Sequence, residues 1–493
     1  MPEFVHPKIA GWSAFVLVAG AYAIGLITSI ADPDMWGYLA FGYTFWTQPG
    51  FPYLDPFSYM PTNPVWIYHE WLTGVIFFPL YASFGDAALQ ILRYGLAAGA
   101  LGFAFAAAKK RGASPAAALL GLFFPVFAIS AGYAPVRAQV FTYFFFALTI
   151  YLCEDCRKSQ QFKRLWLLPP LVLVWCNLHG GFVAGLAIIG LYGLGQALSR
   201  RVFKPYLLIL VPCLLVTLIN PYGWDYWPYL IKAILMPRPE ITEWMSLWRA
   251  YKLGQAVLVL PLYIGMLPLC ILFCVGPLRR DRTAILVLAA TAWMAFSHVR
   301  HLPFMGLAMA ALLPSAAGYF WKNNLRGKVF VLFAVIIPLA HLTIINGMVA
   351  YNRLDSPGLF RTPLSLEVLP SSKVLGGQMA YPTTGIAFLK ENGISGNILT
   401  EFEWGQFVMW TLPDSKVAMD GRYETVYPDS VCREFFAFVY GSPGGAQYLE
   451  KYPHEIALLK TGALTSARVK QSPEWTRVYE GDGCAVFLRK KNS

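Results

Sequence analysis

The stretch ADPDMWGYLAFGYTFWTQPGFPYLDPFSYMPTNPVWIYHEWL, residues 31–72, follows an apolar run over 11–30, and its reading decides the fold. Asp32 and Asp34 stand where a spanning helix would leave a bilayer. Carboxylates that close to hydrocarbon are costly unless paired, wet or coordinated, so they mark function by default. Pro33 between them blocks helix continuation and should splay both carboxylates to the outer side. Capping of the next helix would account for Asp32 but not for the pair with its acidic, aromatic surroundings.

Composition agrees with a membrane setting. The 493 residues are 57% hydrophobic and only 13% charged, with mean hydropathy +0.49. Half the usual charge cannot cover a compact water-facing surface, which excludes an ordinary soluble enzyme, a disordered chain and a fibrous repeat. Apolar runs lie at 11–30, 88–107, 115–133, 138–153, 166–181, 182–198, 205–220, 255–276, 283–299, 302–320 and 329–349. Each can cross a hydrocarbon core of about 30 Å at about 1.5 Å per residue, the shortest only just. The segment 71–84 is shorter and reads as a re-entrant or interfacial helix, with a short true span as the alternative. The first run is too long for a signal-peptide core and lacks a cleavage pattern, so it reads as a retained anchor.

The charge distribution orients these runs. The net charge is +12, yet from Arg353 onward 15 basic and 15 acidic residues balance, so the membrane part holds the whole excess. Its basic clusters, among them Lys109-Lys110-Arg111, Arg157-Lys158 and Arg279-Arg280, follow alternate runs, as positive-inside loops do, and do not form a nucleic-acid surface. About eleven spans result, with segments 31–70 and 221–254 outside. The chain thus divides into a transmembrane domain over 1–350 and a soluble, extracytoplasmic α/β domain over 351–493. In the latter, 380–392 reads as a helix, and 396–400, 404–410, 417–419, 456–459 and 485–488 read as strands. Cys153 and Cys156 have redox spacing without a partner cluster and read as packing residues; Cys432 and Cys484 could pair outside the membrane.

Other candidates are few because charge is scarce. Asp55, His69 and Glu70 come from the first outer segment, where His69-Glu70 could equally open the 71–84 helix. Arg137 and Arg300 sit at outer helix ends; a guanidinium fork suits phosphate, whereas snorkelling to headgroups is the plainer reading. His301 stands beside Arg300. His179 precedes Gly180-Gly181 at an outer end, suited either to a ligand or to an interhelical hydrogen bond. Glu243-Trp244 suits a sugar ring or an interface anchor. Asp420-Gly421-Arg422 reads as a turn with an internal ion pair. No Rossmann fingerprint, P-loop or nucleophile elbow is present in the sequence.

An acidic pair after the first span, followed by a long outer loop, resembles the GT-C glycosyltransferases. The block Asp32, Asp34, Trp36, Gly42, Pro52, Asp55-Pro56-Phe57-Ser58 and His69-Glu70-Trp71-Leu72 is similar to a bacterial group of uncharacterised GT-C-like membrane proteins. Arg137/Gln139, Asn177-Leu178-His179-Gly180, Asn220-Pro221-Tyr222-Gly223, Glu243-Trp244 and Asp420-Gly421-Arg422 continue it more loosely. The resemblance implies a GT-C fold in a bacterial inner membrane. It also implies transfer of a sugar, with inversion, from a polyprenyl-phosphate-linked donor to an acceptor on the extracytoplasmic side. That acceptor is a protein, a lipid or a glycan. Asp34 is the first choice for the base and Asp32 the second; either instead suits a divalent cation, Mg²⁺ or Mn²⁺. Asp55, His69, Glu70, Arg137, His179, Glu243, Trp244, Arg300 and His301 would hold substrate. A flippase of lipid-linked glycans and a non-catalytic subunit of an envelope polysaccharide machine are the alternatives.

Overall fold

A computed structural model describes residues 30–130, 136–255, 259–317, 364–370 and 380–490, with a few residues between 12 and 20. The runs at 11–30 and 329–349 therefore lie outside the described residues. The described chain is mostly helical and carries one five-stranded sheet near its C-terminus. It divides into two compact units. The first comprises 1–28, 91–223 and 234–363; the second comprises 29–90, 224–233 and 364–493. The outer segment after Ala31 thus belongs to the same unit as the C-terminal sheet, whereas sequence alone assigned it to a transmembrane domain.

In the first unit the apolar runs become helices, among them Gln139–Ser159, Leu168–Leu178, Phe182–Leu198, Lys204–Leu215, Val259–Val275, Arg282–Ser297 and Leu302–Leu312. Several are apolar all round. Lys204–Leu215, for example, buries Tyr206, Ile209 and Cys213 and leaves Leu207, Leu208, Val211, Leu214 and Leu215 exposed. By length and composition, Asp86–Lys110 is the one described helix able to cross a membrane alone; Lys204–Leu218 and Gly223–Leu235 pass the same test together but bend by 115°.

The basic residues at one end of these helices are not all solvated. Arg111 donates to Glu154 (3.0 Å) and Asp281 (2.9 Å). Arg157 donates to Asp281 (2.7 Å) and Glu154 (2.9 Å), and the Tyr192 hydroxyl donates to Glu154 (2.8 Å). Asp281 also caps Arg282–Ser297 through the Ala284 N–H. This buried network joins the ends of four helices, and removing one member would strand another charge.

In the second unit, Pro33–Thr47 packs on Trp71–Phe84. A methyl group at Gly42 would lie 2.2 Å from the Gly74 carbonyl oxygen, so this crossing tolerates only glycine. Trp71–Phe84, at 14 residues, spans about 21 Å by helical rise. The sheet runs β2-β1-β3-β5-β4, with β1 Asn397–Thr400, β2 Lys416–Val417, β3 Ile456–Lys460, β4 Trp475–Gly481 and β5 Cys484–Arg489. β1 is parallel to β2 and β3; β5 is antiparallel to β3 and β4. Residues 404–410 correct a sequence expectation: they form a short 3-10 turn and the helix Gly405–Thr411 rather than a strand. Gly405 through Met409 are all buried, so the run shows neither period, and tertiary packing selects the helix. All eight cysteines are free thiols, Cys432 and Cys484 included.

Candidate functional site

The acidic pair is resolved by local geometry. Asp32 is the N-cap of Pro33–Thr47 and accepts the Asp34 N–H (3.0 Å), and Pro33 fills the first helical position, where its missing donor costs nothing. Pro33 therefore starts a helix. Asp34 stands in the first turn, half-buried, where the positive helix end favours a carboxylate. The helix is held from both sides. The Ala31 N–H donates to the Glu367 carbonyl (2.9 Å), the Tyr381 hydroxyl donates to the Ala31 carbonyl (2.7 Å), and Trp36 packs on Tyr381 and Phe407.

The Asp55-Pro-Phe-Ser motif and the Asp420-Gly-Arg motif meet in the same unit. Arg422 donates to Asp420 Oδ1 (2.8 Å) and Oδ2 (2.7 Å) and pairs with Asp55. All three side chains are buried, and the guanidinium stacks on Phe57 and Trp66. The Ser58 N–H donates to Asp55 (2.8 Å), and its hydroxyl donates to the Val417 carbonyl (3.0 Å) and accepts the Met60 N–H (3.1 Å). The Val417 N–H in turn donates to the Phe57 carbonyl (2.9 Å). Asp55 is thus spent in fastening the outer segment to the sheet edge. Glu70 stands before Trp71–Phe84 without a side-chain capping bond and accepts the Tyr38 hydroxyl (2.8 Å). His69 lies 3.6 Å from Glu70 and 3.1 Å from the Tyr229 hydroxyl.

The first unit gathers a second set. Glu243 accepts both arms of Arg137 (3.0 and 3.4 Å) and lies 3.3 Å from Arg300. Arg238 and Arg300 both stack on the Trp244 ring, at 4.3 and 4.4 Å, and His298 and His301 pack around it. Desolvation pushes the Glu243 carboxyl up, but Arg137 and Arg300 outweigh it and hold it at about 2, below its ordinary 4.5. Burial, with Arg300 and His298 alongside, lowers His301 from 6.5 to about 3, so its ring is neutral. Arg137 and Arg300 converge on Glu243 while Arg238 and Arg300 share the Trp244 ring, a gathering of guanidinium groups suited to an anion. The sequence named Arg137, Glu243, Trp244, Arg300 and His301 singly; their convergence is tertiary. Arg238 joins them through its stacking on Trp244.

His179 sits elsewhere in this unit. Its Nδ1 accepts the Gly181 N–H (2.9 Å) and lies 2.8 Å from the Thr142 hydroxyl, which also accepts the Trp175 indole N–H (2.8 Å). These bonds join Gln139–Ser159 to the turn before Phe182–Leu198.

Among the described residues, no three His, Cys, Asp or Glu side chains gather as a metal cage. Asp32 has one oxygen committed to capping, so the pair offers a divalent cation two carboxylates at most. Such a set suits Mg²⁺ when phosphate oxygens and waters complete the shell.

No family model matches the chain. No curated protein matches it either. Among solved structures it is similar to the Archaeoglobus fulgidus oligosaccharyltransferase, captured with a disulfide-tethered acceptor peptide containing the NVT sequon. The TM-score is 0.54 at 12% identity, over 98% of this chain and 74% of that one. This end-to-end likeness shows that the chain shares the fold of that oligosaccharyltransferase.

Proposed function

We propose that the chain is a GT-C glycosyltransferase that moves a sugar from a polyprenyl-phosphate-linked donor to an acceptor outside the cytoplasm. The observation that carries this reading is the GT-C fold, matched along nearly the whole chain to an oligosaccharyltransferase. The half-exposed Asp34 in a helix first turn suits the base that such a reaction needs, and the arginine-rich Glu243 cluster of the other unit is a separate candidate for an anion. Asp34 accepts the proton of the acceptor nucleophile as its oxygen bonds to the sugar C1. The bond from C1 to the donor phosphate breaks with inversion, and the leaving phosphate keeps the electron pair. Arg137 and Arg300 of the first unit are, by themselves, a candidate site for a phosphate-bearing group. Asp55 acts as a positioning residue through Arg422, and Glu70 and His69 line the outer segment. A cation held by Asp32 and Asp34 would supply charge neutralisation at the phosphate.

The same proposal includes about eleven spans in a bacterial inner membrane, with the C-terminal sheet outside. The exposed apolar faces of Lys204–Leu215 and of Val259–Val275 support it, because such faces are stable against hydrocarbon and not against water. The test is transfer from radiolabelled polyprenyl-phosphate sugars by the purified protein, comparing Asp34→Asn and Asp32→Asn with wild type. Loss of transfer in Asp34→Asn is expected, and unaltered transfer in both variants would remove the base assignment. Lipid scrambling in liposomes without donor consumption would favour a flippase.

A further inference from the structure

We infer that Gln406 and Gly421 form, with Asp34, a notch that binds the acceptor's nucleophilic hydroxyl; this deepens the transferase reading and rests on it. A methyl group at Gly421 would lie 3.1 Å from Asp34 Oδ1 and 3.4 Å from Gln406 Nε2. The carboxylate and the amide therefore border the same small space, which glycine keeps open. Gly421 is itself half-buried, so the notch reaches the surface.

The Gln406 amide is placed firmly. Its residue is 3% exposed, and Trp404 and Phe407 on either side are fixed, the former by a bond from its indole N–H to the Ala380 carbonyl (2.7 Å). Phe407 packs on Trp36 and Tyr381. The amide lies over Gly37, one turn after Asp34, where a methyl group would fall 2.8 Å from Nε2. Its Oε1 is buried and accepts no hydrogen bond among the described residues. A buried amide left with an unmet oxygen is costly, so its orientation toward Asp34 needs a reason.

The pairing of groups says what fits. Asp34 accepts a proton; Gln406 Nε2 donates one. A hydroxyl uses both at a single oxygen, giving its proton to Asp34 and taking a bond from Gln406 on a lone pair. A carboxamide splits donor and acceptor between two atoms, its nitrogen and its oxygen, and needs more room than the single-atom space beside Gly421. The notch therefore selects an alcohol, on a sugar, a lipid or a serine-type side chain, as the acceptor.

The experiment uses full-length protein in nanodiscs with radiolabelled polyprenyl-phosphate sugars, and compares hydroxyl acceptors (alkyl glycosides, a serine peptide) with an asparagine peptide. Wild type should transfer to hydroxyls. Gln406→Leu, which keeps the shape and removes the donor, should raise the acceptor KM about tenfold, with the donor KM and the unfolding midpoint unchanged. Gly421→Ala should do likewise by narrowing the notch. Gln406→Glu places a second carboxylate beside Asp34 and should move the acidic limb of the kcat/KM profile to higher pH. An unchanged acceptor KM in Gln406→Leu, or equal transfer to the asparagine peptide, would overturn the inference. If wild type consumes no donor, the transferase reading fails. The notch is then judged by infrared titration of the Asp34 band: Gln406→Glu should raise its midpoint and glycerol should lower it in wild type alone. Absence of both shifts refutes the notch.

Discussion

Glu243→Gln isolates the electrostatics of the arginine cluster. In wild type the carboxylate sits between Arg137 at 3.0 Å and Arg300 at 3.3 Å, with its ionisation lowered from 4.5 to about 2. A shift of that size corresponds to about 3 kcal/mol favouring the charged form in the folded state. The side chain is still 19% exposed, so solvent screening brings the stabilisation to about 2 kcal/mol. It is fully present above pH 4.5 and is lost as pH falls toward 2, since the unfolded chain binds the proton first. The glutamine variant cannot titrate, and it takes this carboxylate away from Arg137 and Arg300. It should unfold at lower denaturant than wild type at pH 7, and the gap should close as pH falls from 4.5 toward 3. Inorganic phosphate should recover part of the loss in the variant, about 1.4 kcal/mol at tenfold above its Kd, and should act weakly on wild type, where Glu243 competes. The assay is denaturant unfolding in nanodiscs followed by tryptophan fluorescence, with and without phosphate. A variant as stable as wild type at pH 7, or one indifferent to phosphate, would refute both the counter-ion role of Glu243 and the anion role of its partners.

Further perturbations separate fastening from chemistry. Asp34→Asn should lower transfer by about 10²–10⁴-fold, the usual range for a lost general base, with an unchanged unfolding midpoint. Arg422→Met should destabilise the second unit by roughly 3–5 kcal/mol, because Asp55 and Asp420 would remain buried and charged; limited proteolysis of the C-terminal unit reads this directly. His454 is buried, accepts from the Tyr59 hydroxyl at Nδ1 and donates from Nε2 to the Tyr448 carbonyl (3.1 Å). Burial foremost lowers its ionisation from 6.5 to about 4. Its contribution is complete above pH 6.5 and fades as pH falls toward 4, so unfolding should become easier over that window, and less so in His454→Gln. A cysteine placed at the exposed Asn392 should be labelled by a membrane-impermeant maleimide from outside intact cells; labelling only after lysis would reverse the topology.

Much of this was legible in the sequence because apolar length and charge placement act locally. Long apolar runs make helices here, whereas Pro33, expected to block a helix and splay the carboxylates, instead opens one that Asp32 caps. The strands at 397–400 and 456–460 showed as short β-rich runs for the same reason. What the sequence could not show was partnership. Residues 404–409 are all buried, so their helix came from packing against Trp36 and Tyr381 rather than from a period of their own. Asp55 looked like a ligand until Arg422, 367 residues away, was found to consume it. Gln406 carries no local signal; only the close approach over Gly37 and Gly421 sets its amide beside Asp34. Arg137, Glu243 and Arg300 likewise became one electrostatic unit through contacts between segments distant in the chain, Arg137 and Glu243 being 106 residues apart. The sequence by itself determined the mostly helical, apolar body. Tertiary structure alone decided which scarce charges neutralise one another, because Coulomb and hydrogen-bond energies depend on distance in space and not along the chain.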